Sequence, residues 1–583
     1  QDAGTVYAVW GCMIIGVVFT LIPPPLDQGK LNRFVSVLKS CEPKFLISNE
    51  GLEKTSENKV TGSLLRQAFF QVLALKRIYT DKIKPYHGES LLCAHEEDDL
   101  LYLQYTSGST SAPKGVMVTY KNLMTCIDLC QEIFDFQYTE QRLASWVPFY
   151  HNIGLVVAIF MPAMANAAIS YFIHTIQFLQ KPAIWLQALS KYKATVTAAP
   201  NSAYEICTKL FSPEEAKKYD LSSMTHFING SEVVDSYTVD KFCERFSVSH
   251  DAFAPGYGLS ECVCVAALSS RDYRSVSIQS EEYQKNRFVP AEDGEKTIVS
   301  LGRPAADMKI LIVRPDGNPC GEGEIGEIYL KGSNVCAGYW KNPEASKAFE
   351  AVVNGFEGKF YRTGDMGAMY EGQLYITGRL KEMIIISGKN IFPSDLILLL
   401  REKGIPLPAG SMAVFSVRRD GGERPILCAE CGSGEDFHRL AAQINKIILK
   451  DFEFSFADIV FVEKDSLPRT DNRKVKTLAA KEAYEQGKLK ILFSTVKHGT
   501  AKPAKHTEAP RKKIYLPQKA KPEEIQPFIR SIFESLLPGM EFGDEDSFME
   551  MGGDSLRMME LVCDLEEDLD ISIDLREVVA DSS

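Results

Sequence analysis

The run Tyr105-Thr106-Ser107-Gly108-Ser109-Thr110-Ser111-Ala112-Pro113-Lys114-Gly115-Val116 follows an apolar stretch, Leu100–Leu103. Its small residues let backbone N–H groups approach a polyanion. Its hydroxyls add donors, and Lys114 supplies a cation. That is the donor set a triphosphate needs. The spacing G-x-x-x-x-G-K-[ST] of a Walker A loop is absent. Gly552-Gly553-Asp554-Ser555-Leu556 precedes an amphipathic stretch in which Leu556, Met559, Val562 and Leu569 recur at near-helical spacing. Ser555 there could simply cap a helix. Cys428-Ala429-Glu430-Cys431 has a pairing typical of metal or redox sites, but it sits in a strand-like run. Positions three apart in a strand face opposite sides, and no second pair completes a zinc site.

Further motifs follow the loop in a fixed order, and together they resemble the acyl-adenylate-forming enzymes. The loop, including Thr106, Ser107, Gly108, Ser109, Thr110 and Lys114, resembles their phosphate loop. Ser145–Gly154, which holds His151, resembles the segment bordering the acyl site. Asn229-Gly230-Ser231-Glu232 resembles the adenine-side turn, and Tyr257-Gly258-Leu259-Ser260-Glu261 the adenine-stacking and magnesium-binding motif. Tyr361-Arg362-Thr363-Gly364-Asp365 and Gly378-Arg379 resemble the ribose-binding pair. Pro468–Lys474 resembles the motif carrying a C-terminal catalytic lysine. The seven motifs fall in family order within residues 1–487. Gln104–Gly108, Asn229–Glu232, Gly388–Asp395 and a polar stretch at about 269–297 make the resemblance closest to fatty acyl-AMP ligases. In that group the inserted stretch is thought to restrain the swing of the C-terminal domain that thioester formation on CoA needs. The segment Asp546–Leu556 resembles carrier proteins, in which the serine at the place of Ser555 takes a 4′-phosphopantetheine arm.

The implied chemistry suits the residue types. A carboxylate attacks the α-phosphate of ATP, and both partners are anionic, so charge neutralisation and alignment carry the catalysis. By resemblance, Lys474 neutralises the developing charge and Glu261 holds Mg²⁺, which takes few carboxylates alongside phosphate oxygens. Asp365 accepts from ribose hydroxyls and Arg379 donates to them. Tyr257 offers a flat face to adenine. His151 either borders the acyl carboxylate or is a packed structural histidine. Taken singly, each of the acids and lysines could be a solvated surface charge.

These residues need a scaffold, and the apolar patterning describes one. Strand-like runs (Lys44–Ser48, Thr195–Ala199, Thr225–Asn229, Met308–Val313, Glu327–Leu330) alternate with helix-like stretches (Lys121–Phe134, Ile176–Lys191, Asp235–Arg245). Alternation over hundreds of residues predicts α/β layers. Tyr7–Ile22 predicts a buried helix followed by a core strand, and the stretch Ser269–Thr297 a loop-rich insertion. The expected organisation is an adenylate-forming fold with a large α/β domain over 1–380 and a small mobile α+β domain over 381–487. A basic linker over 488–521 and an all-α carrier domain over 522–583 follow. A chain that starts on a core element and stops after a third carrier helix reads as lacking a piece at each end.

Charge divides the chain in the same way. The 583 residues carry a net charge of −12, but 488–521 holds 10 Lys/Arg against 1 acid, and 522–583 holds 3 Arg against 18 acids. The rest is close to balanced. By itself the acidic net charge argues against nucleic-acid binding, which needs a basic face. The apolar N-terminal run is too short to span a bilayer and has no basic segment before it. Fourteen scattered Cys suit reduced thiols and a cytoplasmic setting. The predicted activity is ATP-dependent activation of a fatty acid and its transfer to the fused carrier, with a downstream synthase as a further partner. The rivals are an adenylation–carrier module for amino or aryl acids, an acyl-CoA synthetase, and a scaffold with a decayed site. Ser111, Asn152 and Arg473, which depart from the usual motif residues, motivate the last.

Overall fold

The computed structural model describes residues 2–25, 28–50, 75–84, 87–88, 92–106, 113–134, 141–164, 169–294, 296–386, 389–407, 410–419, 422–432, 436–470 and 474–496. The chain divides into two compact units, Gln1–Lys381 and Glu382–Ser583. Ser107–Ala112, Arg473, most of the basic strip and the whole carrier segment with Ser555 lie outside the described residues.

In the first unit, β1 (Phe45–Ser48) runs parallel to β2 (Lys76–Tyr79), and β3 (Leu100–Thr106) pairs antiparallel with β4 (Lys114–Thr119). A seven-stranded sheet is built from β5 (Arg142–Ser145), β6 (Ile169–Phe172), β7 (Val196–Ala199), β8 (His226–Asn229), β9 (Phe253–Tyr257) and β10 (Ala267–Leu268). After a side pair, β11 (Ser275–Ile278) and β12 (Lys296–Val299), it is completed by β13 (Arg303–Pro304). The spatial order is β13-β10-β9-β8-β7-β5-β6. The pairings among β5 to β9 are all parallel. Parallel strands are covered on both faces, which is why Val196-Thr197-Ala198-Ala199 and His226-Phe227-Ile228-Asn229 are buried at every position. Phe227 stacks on Phe253 at 5.2 Å, and Tyr204 and Phe242 meet them from flanking helices. The helix Ser236–Phe246 begins at Asp235, whose Oδ1 accepts from Thr238 N at 2.7 Å, and stops at Ser247 in the left-handed region.

A four-stranded antiparallel sheet follows: β14 (Lys309–Val313), β15 (Gly326–Lys331), β16 (Tyr361–Tyr370) and β17 (Gln373–Arg379). It is tied to the helix Tyr120–Phe134 by Asn122, whose amide donates to the Ser333 carbonyl at 2.8 Å.

The second unit contains the pair β18 (Ile384–Ile386) and β19 (Lys389–Ile391), then a sheet of β20 (Met412–Arg419), β21 (Gly422–Glu430), β22 (Asp458–Val462) and β23 (Ile491–Ser494). Its two faces bury separate cores. Leu427 and Ala429 pack with Leu396 and Ile444; Ile426 and Cys428 pack with Ala480 and Tyr484. Cys428 and Cys431 therefore lie in different cores.

Four expectations need correction. The stretch Ile176–Lys191 is two helices, Thr175–Gln180 and Ala183–Lys191, because Pro182 cannot continue the first. The insertion is ordered: β11 and β12 pair, a short helix Ser280–Gln284 lies between them, and Ile278, Tyr283 and Phe288 are buried. The basic strip begins later than its charge suggests, since Ile491–Ser494 pairs with β22. After the helix Ala3–Ile14 no strand forms; Phe19 makes one isolated bridge to Tyr102, and Ile14, Ile15, Val17 and Val18 are exposed. Among the described residues, no helix is long and apolar enough to cross a membrane.

Candidate active site

Lys114 opens β4 directly opposite Thr106, the last residue of β3. The hydroxyl-rich loop thus joins two antiparallel strands, whereas a Walker A loop leads from a strand into a helix. A second segment lies along β4: Met117 N donates to the Gly338 carbonyl at 3.0 Å and Trp340 N to the Gly115 carbonyl at 2.7 Å. This pairing carries Tyr339 to the head of the strand. Lys114 Nζ lies 5.2 Å from the Tyr339 ring centroid. The Tyr339 hydroxyl donates to Glu261 Oε1 at 2.6 Å and lies 3.4 Å from the Tyr361 hydroxyl.

Glu261 sits in the tight turn Ser260–Cys262 after β9 and is buried. Burial raises its pKa, and the Tyr339 hydroxyl opposes that shift by favouring the carboxylate. The turn is closed by a γ-turn centred on Val263 (φ 64°, ψ −63°), with Cys264 N donating to the Cys262 carbonyl at 2.7 Å. A β-branched residue in that region is strained, and such strain gathers at functional sites. Gly258 admits the turn: a Cβ there would stand 1.7 Å from the Cys264 carbonyl oxygen.

The residues of the motifs that resemble a ribose-binding pair also converge. Asp365 on β16 faces Arg379 on β17 in the ladder, and Arg379 Nε lies 3.2 Å from Asp365 Oδ1. The Tyr257 hydroxyl donates to Asp365 Oδ2 at 2.7 Å. Burial, and next the Asp365 charge, push the Tyr257 pKa well up, so its proton stays on. Tyr257 ends β9 and Asn229 ends β8, at the carboxyl edge of the parallel strands where α/β sheets take ligands. Asn229 is fully buried; its amide donates to Asn201 Oδ1 at 3.1 Å, and its Oδ1 has no partner among the described residues. Gly230 follows, where a Cβ would stand 3.0 Å from the Gly256 carbonyl, and then Ser231 at φ 67°. A buried acceptor without a donor at this edge fits a ligand that brings an N–H, as a purine amine does.

His151 caps the short helix Asn152–Leu155; its Nδ1 accepts from Ile153 N at 3.3 Å. The preceding Tyr150 carbonyl accepts from Gln104 Nε2 at 2.8 Å, which ties this segment to β3. Burial lowers the His151 pKa to about 4, so the ring is neutral near pH 7. Lys474 belongs to the second unit; Thr470 N donates to its carbonyl, and its own N donates to Thr470 Oγ1. Beside Thr470, Arg469 donates to Glu430 Oε2 at 2.5 Å.

Among the described residues, no three His, Cys, Asp or Glu side chains are grouped to enclose a metal ion. Glu261 is a buried carboxylate bonded to Tyr339, whose ring Lys114 faces, and a lone carboxylate of this kind fits Mg²⁺ held mainly by substrate phosphates rather than by a protein cage. The pattern of residues 3–340 matches the family described as AMP-binding enzyme. The chain belongs to the AMP-binding enzyme family. Residues 527–583 of this AMP-binding enzyme match the phosphopantetheine attachment site family.

It is 32% identical over 512 residues to the medium-chain-fatty-acid–[acyl-carrier-protein] ligase JamA of Moorena producens, covering 84% of this chain and 85% of that one. It is 34% identical to the 4-hydroxyphenylalkanoate adenylyltransferase of Mycobacterium tuberculosis, covering 83% and 81%. A solved fatty acyl-adenylate ligase from work on the E. coli and L. pneumophila enzymes superposes with a TM-score of 0.74 at 25% identity, over 84% of this chain and 87% of that one. The adenylation–carrier structure of McyG, at 22% identity, shares the fold with a TM-score of 0.76 over 100% of this chain and 87% of that one. The enzyme therefore has the adenylate-forming fold, with an attachment site for 4′-phosphopantetheine in the same chain.

Tyr339 carries no local signal that sequence reading could use, and Tyr361 enters that reading only as the first residue of the ribose motif. Both are placed by strand pairings with distant partners.

Proposed function

We propose that this chain activates a fatty acid with ATP and passes the acyl group to its own carrier segment. The observation that carries the reading is one chain holding both an AMP-binding enzyme match and a phosphopantetheine attachment match. The convergence of Lys114, Glu261, Tyr257, Asp365 and Arg379 within one unit supports it. In this reading Asp365 and Arg379 hold the ribose, Tyr257 faces adenine, and Asn229, Gly230 and Ser231 border the base. Lys114 and the loop from Thr106 bind the phosphates. Glu261 holds Mg²⁺, which supplies charge neutralisation on the phosphate oxygens. Lys474 stabilises charge as the carboxylate displaces pyrophosphate and acyl-AMP forms. His151, held neutral, borders the acyl carboxylate without adding a charge. The arm on Ser555 supplies the thiol that accepts the acyl group as AMP leaves.

A downstream synthase that consumes the thioester fits a carrier attached to the catalyst. Thirteen described cysteines, all free thiols, suit a cytoplasmic setting. ATP–pyrophosphate exchange with a panel of acids tests the reading. Medium- or long-chain fatty acids should drive exchange. Exchange with amino acids alone, or with 4-hydroxyphenylalkanoates alone, would overturn the substrate class, and none at all on the folded chain would overturn the activity.

A further inference from the structure

We infer that Tyr339 is a positioning residue for adenylation, its hydroxyl aiming the Glu261 carboxylate and its ring seating Lys114. The inference rests on the reading that Glu261 and Lys114 serve the metal and phosphates.

Tyr339 touches two groups of opposite charge through two different parts of one side chain. The hydroxyl meets Glu261 Oε1 at 2.6 Å, a length typical of a charge-assisted O–H···O bond. The ring face lies 5.2 Å from Lys114 Nζ, within cation–π range. A Tyr hydroxyl has one proton, and here it goes to Glu261. Across the 3.4 Å contact, Tyr361 must then donate to Tyr339. The result is a directed chain from Tyr361 through Tyr339 to Glu261, and it leaves Glu261 Oε2 outside that chain.

The ring has little freedom to move. Its backbone is paired along β4, its own N donates to Ser346 Oγ at 2.9 Å, and Phe349 meets the ring edge-on at 5.3 Å. Packing alone would be satisfied by phenylalanine. A buried hydroxyl is costly unless bonded, and this one is spent on the proposed metal carboxylate. Partners of this kind behind a metal ligand fix its orientation, and their loss costs about 10- to 100-fold in metal affinity or activity.

The test separates the hydroxyl from the ring. Tyr339→Phe keeps the ring under Lys114 and removes the bond to Glu261. Pyrophosphate exchange should lose about tenfold in kcat, with the ATP KM nearly unchanged. Mn²⁺ binding in the presence of ATP, read by electron paramagnetic resonance, should weaken about tenfold. Tyr339→Leu should in addition raise the ATP KM; thermal melting of both variants establishes that they fold, and if the Leu variant does not, the Phe variant alone decides.

In a Glu261→Gln background, Tyr339→Phe should have little further effect, because the hydroxyl then has no metal carboxylate left to aim. Wild-type kcat and Mn²⁺ affinity in Tyr339→Phe, or a full additive loss in the double variant, would overturn the inference. A wild-type chain that exchanges no pyrophosphate would instead overturn the proposed function, and the Mn²⁺ titration would still decide the role of Tyr339.

Discussion

At the scale of single residues, a histidine held neutral in the place we propose for His151, beside the acyl carboxylate, avoids two problems. A charged imidazole there would be buried without an ion partner, and its protonation would change across the working pH. With its pKa lowered to about 4, His151 binds fewer protons folded than unfolded between about pH 6.5 and 4. The unfolded chain therefore gains as pH falls through that window, and the His151 contribution to stability is complete above it. Chemical denaturation of wild type and His151→Gln should show the wild type losing more stability between pH 7 and 4.5. Parallel curves would mean the ring is solvated. Asp365 and Arg379 were legible as a pair from their motifs, and the ladder sets them opposite each other. Tyr257 joins them from 108 residues away. Tyr339 was not legible, because a tyrosine next to a tryptophan has no pattern of its own. It acquires its neighbours only when Gly338–Trp340 pairs along β4.

Among elements, the insertion is the clearest case of composition misleading. Its polar residues read as loop, yet three apolar side chains anchor it. Phe288, 2% exposed, packs on Tyr375 at 4.6 Å and Tyr370 at 5.5 Å, both in the four-stranded sheet. Short strands flanked by Gly, Asp and Glu are hard to see in sequence, because one or two buried positions do not make a periodicity. Phe288→Ala should cost about 3–5 kcal/mol if the cavity does not collapse, measured by denaturant unfolding. It should also raise acyl-CoA output while acyl-AMP formation survives, if the insertion restrains thioester formation on CoA as the resemblance implies. Background acyl-CoA from a loosened but active variant would refute that restraint. The broken helix at Pro182 has the opposite lesson: apolar spacing ran through it, and one missing N–H ended it.

For the whole molecule, the net charge of −12 hides three parts. A nearly balanced catalyst leads through a basic strip to an acidic carrier segment, and complementary charge of this kind steers encounters more than it tightens them. The strip does not start where its charge starts, since backbone pairing with β22 claims Ile491–Ser494 whatever their neighbours carry. Ser555→Ala should leave pyrophosphate exchange near wild type and abolish covalent acyl loading of the chain, read by intact-protein mass spectrometry after phosphopantetheinylation. Acyl groups retained on that variant would place the acceptor elsewhere. The alternation of apolar runs made the α/β class legible, because parallel strands must be buried on both faces. Which strands are neighbours was not legible, since that depends on pairings between distant segments.

The strip Gly338–Trp340 along β4, with the nearby bond from Asn122 to Ser333 spanning 211 residues, also bears on how the enzyme comes into being. Contacts of that separation close large loops and are slow to form. Lys114 leaves the ribosome long before the tyrosine that seats it. The contacts that complete the proposed nucleotide site are thus among the longest-range in the first unit, and ATP binding to the folded unit would stabilise it by mass action.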